Sequence, residues 1–180
     1  MYTPYPGDLI FVRSSTILGS IIRWFTRSKN EEKTYANHVA GMGFSGILIE
    51  ALITVVSSSF LEWKKYNHRF EIWRNKDLSD STRAVIAHYV DQQIGRKYGF
   101  LKLGLHAGDA ILAKLLGNNP YFFRRLAFVN RYPICSWLWA YAYFKGGIKL
   151  GGSPNSLSPD DMYDYVKTDI VWELIYKEEA

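Results

Sequence analysis

The single cysteine of this chain, Cys135, limits the ways in which 180 residues can be held together. One thiol cannot form an intrachain disulfide, and it cannot build a zinc site that needs two thiolates. The fold must therefore be stabilised by its hydrophobic core. The composition can supply such a core, since 48% of the residues are hydrophobic and 16% are aromatic. A chain of this length buries roughly 70% of its unfolded surface as a single domain, so we expect one domain over residues 1–180.

The charge pattern excludes a nucleic-acid arm and gives only a mild preference for anionic partners. Lysine and arginine number 22 and aspartate and glutamate 17, a net charge of +5. The basic residues form short pairs such as Lys64-Lys65 rather than a dense run, and we expect no specific nucleic-acid partner. The chain begins without a basic segment leading into an apolar one, and charged residues interrupt every long apolar stretch. These features favour a cytoplasmic protein without a membrane-spanning helix. They give no indication of oligomeric state.

Short β-type runs and amphipathic runs alternate along the chain and predict a mixed α+β domain without linkers or repeats. The predicted strands are 9–12, 38–44, 47–52, 69–74 and 170–176, the second and third forming a hairpin around Ser45-Gly46. The predicted helices are 16–25, 79–94, 101–116, 135–144 and a last helix opened by Ser158-Pro159.

Cys135 stands where a helix is expected to begin, two residues after Pro133. Unpaired backbone N–H groups and the helix dipole favour a thiolate there, and the same N–H groups can receive an oxyanion. A lone cysteine is more often a small buried hydrophobic side chain. Burial by Trp137 and Trp139 would also oppose ionisation. A reactive Cys135 therefore needs a base beside it.

The order of the histidines restricts which base this is. All four histidines precede Cys135, so the usual papain order of cysteine first and histidine later is excluded. His88 and His106 lie on predicted helices and His68 in a polar loop, positions typical of surface histidines. His38 instead opens a strand of apolar residues, where its ring requires a polar partner.

Glu50 is the candidate partner, because it is the one charged residue between Gly41 and Glu62. A three-residue loop at 44–46 would place Ala40 opposite Glu50 and make His38 and Glu50 diagonal neighbours on one sheet face. Their backbones would then lie about 7 Å apart. A two-residue turn would put the two side chains on opposite faces, and Glu50 would then be an ordinary solvent-facing residue.

Five sequence blocks carry a family resemblance. They are Pro6-Gly7-Asp8-Leu9-Ile10-Phe11, His38-Val39-Ala40-Gly41-Met42-Gly43, Ile49-Glu50-Ala51, Gly95-Arg96-Lys97-Tyr98-Gly99 and Cys135-Ser136-Trp137-Leu138-Trp139. Together they resemble motifs of the NlpC-type cysteine hydrolases of the papain-like superfamily. In the usual family order the tyrosine and cysteine blocks come first, whereas here they come last. The arrangement resembles the circularly permuted, YiiX-like branch of the family.

The resemblance implies a permuted papain-like α+β fold, in which an antiparallel sheet packs against helices and the nucleophile lies at a helix N-terminus. It implies Cys135 as nucleophile, His38 as general base and Glu50 as the carboxylate that orients the imidazole, a chemically sound third member. No cofactor or metal is implied. The remaining positions matched to the site are Tyr98 and Ser136, for the oxyanion or substrate, and Trp137 and Asp8, for substrate binding.

The resemblance also implies the reaction, hydrolysis of an amide bond through an acyl-enzyme. The implied substrates are small peptides, cell-wall-type peptides or N-acylated amino acids. An inserted helical segment at about 101–132 has a leucine face and an aromatic and basic end. Two interpretations of this segment remain open. The protein could be a lipid acyltransferase or thioesterase that touches a membrane through 101–125, or the segment could pack over the core. A third alternative is a non-catalytic binding module on the same fold.

Overall fold

The computed structural model describes residues 2–14, 35–97 and 134–179. Within these ranges the chain forms one six-stranded antiparallel sheet and four α-helices, which confirms the mixed α+β class. The strands are β1 (Leu9–Val12), β2 (His38–Met42), β3 (Ile47–Ala51), β4 (Val55–Ser59), β5 (Phe70–Asn75) and β6 (Trp172–Glu178). The helices are α1 (Phe60–Lys64), α2 (Asp80–Asp91), α3 (Cys135–Lys145) and α4 (Pro159–Thr168).

The sheet is apolar on both faces, and β1 lies near its centre. The strand order is β4-β3-β2-β1-β5-β6, with β1 paired to β2 and β5. Alternate residues of β1 enter two separate cores. Leu9 and Phe11 belong to the core formed with α2, α3 and α4, whereas Ile10 and Val12 belong to a second core that includes Trp63 of α1. All four residues of β1 are therefore buried.

The β2–β3 hairpin has the register that a three-residue loop predicts. A single 3-10 turn, Phe44–Gly46, connects the strands, and Ala40 pairs with Glu50. Ser45 and Gly46 adopt φ angles of 54° and 73°, which the short connection requires. Since side chains alternate along a strand, this register places His38 and Glu50 on the same face.

Helix α3 crosses the sheet close to β2 because Gly41 has no side chain. A Cβ atom at Gly41 would lie 2.6 Å from Cζ2 of Trp139 and 2.7 Å from the carbonyl oxygen of Asp8. The Trp139 ring occupies that space, fully buried, and its Nε1 donates to the Ile49 carbonyl at 3.3 Å. The contact fixes the height of α3 above the strand that carries His38.

The helix beginnings agree with their sequence signals. Ser158 and Asp161 form a capping box with Pro159 in the first turn of α4, as the Ser158-Pro159 signal predicts. Ser79 caps α2 by accepting from Thr82 N. Helix α2 ends at Asp91, before the predicted end at residue 94, because the chain turns there and Gly95 takes a φ of 83°.

Two elements, β4 and α1, were not predicted from the sequence. The predicted helices 16–25 and 101–116, and the inserted segment at about 101–132, lie outside the described residues. No helix within the described ranges combines the length and apolarity needed to span a bilayer.

Candidate active site

His38 and Glu50 are joined across the β2–β3 hairpin. The Nε2 atom of His38 lies 2.8 Å from Oε2 of Glu50, and the two side chains are 18% and 10% exposed. At this distance the pair forms a charge-assisted hydrogen bond when the imidazole is protonated. Glu50 therefore fixes the ring orientation of His38 and leaves Nδ1 as the ring nitrogen with no carboxylate partner.

Cys135, the first residue of α3, interacts with the same histidine. Its thiol interacts with the His38 side chain through a hydrogen bond and through charge. The backbone N–H groups of Val39 and Ser136 also donate toward the sulfur. The cysteine is 4% exposed. The structure thus brings Cys135, His38 and Glu50 into one chain of contacts, with the imidazole in the middle.

The electrostatic interactions among these three side chains favour a thiolate on Cys135 and an imidazolium on His38. Burial alone would lower the pKa of His38, but the hydrogen bonds and negative charges of Cys135 and Glu50 outweigh it and raise that pKa to about 10. Burial alone would raise the pKa of Cys135, but the imidazolium and the two backbone N–H groups lower it below its usual value. Both shifts therefore act in the direction of a charged sulfur beside a protonated ring.

The beginning of α3 also provides backbone donors beside the sulfur. The residue before Cys135, Ile134, has no side-chain oxygen with which to cap the helix. The first α-helical hydrogen bond is formed by Leu138, whose N–H donates to the Ile134 carbonyl at 2.9 Å. The N–H groups of residues 135–137 therefore precede the helical ladder. Their direction and the helix dipole suit a negatively charged oxygen that develops next to Cys135.

Asn37 supports the site, a role that was not predicted from the sequence. Its buried side-chain amide forms two hydrogen bonds with the backbone of Ser14, at 3.0 and 2.8 Å. These bonds tie the residue before His38 to the chain that leaves β1. The available sequence signal was the position of Asn37 directly before His38. Its burial, which makes hydrogen-bond partners necessary, is visible only in the structure.

Asp8 was expected to bind substrate, and the structure gives it a different position. Its side chain is fully buried, and Arg74 donates to both carboxylate oxygens at 2.8 and 2.7 Å. The Tyr2 hydroxyl and the Tyr5 N–H also donate to Oδ2. No surface of the carboxylate remains for substrate, so Asp8 acts as an internal ion-pair partner that holds Arg74 and the N-terminal segment.

Trp137, the other expected substrate contact, is turned away from the thiol. It lies about 200° around the helix from Cys135, and it is buried. Its ring stacks on Tyr141 and its Nε1 donates to Asn155 at 2.9 Å. These contacts make Trp137 part of the packing around α3, whereas its sequence position led us to expect a contact with substrate.

The other site candidates divide into three cases. Ser136 is fully buried, its hydroxyl has no hydrogen-bond partner among the described residues, and its backbone N–H interacts with the sulfur. His68 and His88 are exposed, as expected of surface histidines. Tyr98 and His106 lie outside the described residues.

Comparison with known proteins gives a fold relationship. No protein-family model matches the chain, and no curated protein matches it by sequence. The crystal structure of the metalloprotein YiiX from Escherichia coli O157:H7 matches 99% of this chain and 100% of its own, with a TM-score of 0.68 and 14% identity. At this identity the likeness concerns the backbone arrangement, and the chain therefore has a YiiX-like fold.

Proposed function

We propose that the protein is a permuted papain-like thiol hydrolase that cleaves amide bonds through a Cys135 acyl-enzyme. The observation that carries the proposal is the position of His38, whose ring interacts with both the Cys135 thiol and the Glu50 carboxylate. A surface histidine or a structural cysteine would require neither contact. Nucleophile, proton carrier and orienting carboxylate are the parts that thiol-dependent acyl transfer uses.

The first half of the reaction transfers the acyl group to sulfur. The Cys135 thiolate attacks the amide carbon, a C–S bond forms, and the carbonyl electron pair moves onto oxygen. Backbone N–H groups at the start of α3 stabilise that oxyanion. As the oxyanion collapses, the C–N bond breaks and the His38 imidazolium gives its proton to the departing amine. A thioester on Cys135 and a neutral imidazole remain.

The second half returns the enzyme to its starting state. His38, now neutral, accepts a proton from water while the water oxygen attacks the thioester carbon. The C–S bond then breaks, the carboxylic acid leaves, and Cys135 is again a thiolate beside an imidazolium. Glu50 holds the ring through both proton transfers and stabilises its charged form.

The protonation state supports an amide substrate over an ester. An amine is a poor leaving group unless it is protonated as the C–N bond breaks, whereas an alkoxide or thiolate depends less on that proton. With the pKa of His38 raised to about 10, the proton is already on the ring when substrate binds. The resemblance to NlpC-type hydrolases supports small peptides, cell-wall-type peptides or N-acylated amino acids as the substrate class.

A metal has no role in the proposed reaction. The structural neighbour is a metalloprotein, so we asked whether the described residues here fit an ion. They contain no group of three or more histidine, cysteine, aspartate or glutamate side chains arranged to hold one. Within the triad the His38 Nε2 atom is already bound to Glu50. This donor set does not fit a metal site.

The test combines a probe of the thiol that needs no substrate with a substrate panel. Iodoacetamide should label Cys135 faster in the wild type than in His38→Ala, because the imidazolium keeps the sulfur ionised. Peptide amides and N-acyl amino acids should be hydrolysed by the wild type and not by Cys135→Ala, and mass spectrometry should find the acyl group on Cys135. Equal labelling rates, or full activity in Cys135→Ala, would contradict the proposal. Turnover of acyl esters alone would point to a lipid acyltransferase or thioesterase.

A further inference from the structure

The turn between β3 and β4 exposes two aliphatic side chains at the active-site end of the sheet. Leu52 and Ile53 are 48% and 75% exposed. The turn directly follows β3 and begins two residues beyond Glu50, whose strand partner Ala40 lies two residues from His38. The turn therefore lies at the end of the β2–β3 hairpin that carries His38 and Glu50.

A second exposed segment is fastened to this turn. The Val55 N–H donates to the Arg96 carbonyl, the Gly95 N–H donates to the Val55 carbonyl, both at 2.8 Å, and Thr54 forms a β-bridge with Lys97. The segment adds a third exposed aliphatic side chain, Ile94, which is 40% exposed. We call the combined surface the β3–β4 rim, formed by Leu52, Ile53, Ile94, Arg96 and Lys97.

The charge of this rim is positive. Arg96 and Lys97 are exposed, and neither forms an ion pair with a residue in the described ranges. Arg96 donates one hydrogen bond to the neutral Gln93 side chain. Two cations that have no ion-pair partner among the described residues thus flank three aliphatic side chains, on a chain whose net charge is +5.

We propose that the β3–β4 rim docks the active-site end of the protein onto an anionic lipid bilayer. Aliphatic side chains at an exposed turn can enter the region between headgroups and acyl chains. Long basic side chains beside them place their charges among anionic headgroups, and each is worth about 1 kcal/mol near such a surface. The docked orientation would bring the His38 end of β2 toward the bilayer.

The composition of the rim favours a bilayer over a protein partner. Binding hot spots between proteins are enriched in tryptophan, tyrosine and arginine, and leucine is under-represented. Of these enriched residue types, the five rim residues include only Arg96. A second copy of this chain would also bring the two cations of one rim against those of the other, which disfavours self-association.

Binding to vesicles tests the docking proposal without any catalytic turnover. A lack of binding would therefore contradict the docking surface and leave the proposed hydrolase reaction unaffected. The full chain is sedimented with vesicles of phosphatidylcholine alone or of phosphatidylcholine mixed with phosphatidylglycerol. We expect binding to the mixed vesicles, weaker at high salt. The Leu52→Ser/Ile53→Ser variant should lose about tenfold or more in affinity. Arg96→Gln and Lys97→Gln should each lose about fivefold.

Ile170→Ser is the matched control. Ile170 is 86% exposed and precedes β6, at the opposite edge of the sheet from β4, so its loss should leave vesicle binding unchanged. All the substituted side chains are exposed, and unfolding curves should confirm that the variants fold. Three results would overturn the proposal: no binding to the mixed vesicles at low salt, an equal loss in Ile170→Ser, or a dimer that Leu52→Ser/Ile53→Ser dissociates.

Discussion

Glu50 contacts His38 along a diagonal of the β2–β3 ladder, with 2.8 Å between Oε2 and Nε2. The diagonal exists because Ala40, between them in register, pairs directly with Glu50. The carboxylate thus holds the Nε2 atom of the ring. One hairpin of the sheet sets the orientation of the imidazole, and α3 needs only to deliver the sulfur.

Replacement of Glu50 by glutamine should change the pH profile as well as the rate. The hydrogen bond and charge of Glu50 both help to raise the pKa of His38, so Glu50→Gln should lower that pKa. The high-pH limb of kcat/KM reports loss of the imidazolium, and we expect it to move to lower pH. The rate should fall on the order of 10²-fold, a typical share for an acid–base group.

Glu71→Gln is the control for Glu50→Gln, since Glu71 is also a buried carboxylate. It accepts hydrogen bonds from Trp73 and Tyr163 rather than from His38. Its loss should reduce stability and leave the pH profile in place. A profile that moves equally in both variants would remove the special role of Glu50.

The pH dependence of stability should show a plateau that belongs to the Cys135–His38 pair. In the proposed thiolate–imidazolium form, the native pair holds one proton, on the imidazole. The unfolded pair also holds one between the ordinary pKa values of 6.5 for His38 and 9.0 for Cys135. With equal proton numbers, the pair's contribution to the free energy of unfolding does not change with pH in this window.

Outside that window the contribution should decline in both directions. Below pH 6.5 the unfolded state binds a second proton, so the stability that arises from the lowered pKa of Cys135 is lost as pH falls. Above pH 9.0 the unfolded state loses its last proton while the native state keeps its own, so the stability that arises from the raised pKa of His38 is lost as pH rises through about 10. The measurement is the difference in unfolding free energy between the wild type and Cys135→Ala/His38→Asn across this range. A difference that stays constant from acid to alkaline pH would exclude the ion pair.

The His38–Glu50 pair could be predicted from the sequence because the geometry of a hairpin depends on residues that are close together in the chain. The length of the 44–46 turn fixes the register, and the register fixes which side chains share a face with His38. The start of α3 at Cys135 could likewise be read from Pro133 upstream and the apolar run downstream. Contact between the two halves spans almost a hundred residues, and it was expected from the motif resemblance alone.

The features that were not predicted from the sequence, strand β4 and the role of Asp8, also have physical reasons. Strand β4 contains three consecutive serines, Ser57 to Ser59, which have little intrinsic preference for a strand, and pairing with β3 imposes the conformation. The role of Asp8 depends on Arg74, 66 positions away in the chain. No local pattern shows that a carboxylate after a turn will be buried against that guanidinium.

Asp8→Asn separates the ion-pair role from the expected substrate role. The substitution removes the charge that Arg74 contacts with two nitrogens and leaves a partly buried guanidinium without its partner. We expect a loss of about 3 kcal/mol in the free energy of unfolding, the lower end for a broken buried pair. In urea titrations and steady-state kinetics of the folded variant, stability should fall while KM stays the same. The exposed Asp77→Asn should change neither, and a raised KM with normal stability would restore Asp8 to the substrate site.

Gly41→Ala tests whether the height of α3 above β2 controls the catalytic geometry. The new Cβ would meet Cζ2 of Trp139 at 2.6 Å and the Asp8 carbonyl oxygen at 2.7 Å. The backbone oxygen cannot rotate away and the Trp139 ring is fully buried, so α3 must shift outward. Overpacking of this kind costs about 1–3 kcal/mol of stability.

The same shift would move the Cys135 sulfur away from His38 and the Val39 N–H. Iodoacetamide labelling at neutral pH should therefore slow in Gly41→Ala, because the thiol pKa rises when its partners recede. Gly43→Ala provides the comparison on the same hairpin. Its Cβ would meet the Cδ1 end of Ile49 at 2.8 Å, with its other contacts at 3.5 Å, and that flexible side chain can move. Normal labelling in Gly43→Ala with slow labelling in Gly41→Ala would locate the effect at the contact with Trp139, whereas normal labelling in both would show that the site tolerates the displacement of α3.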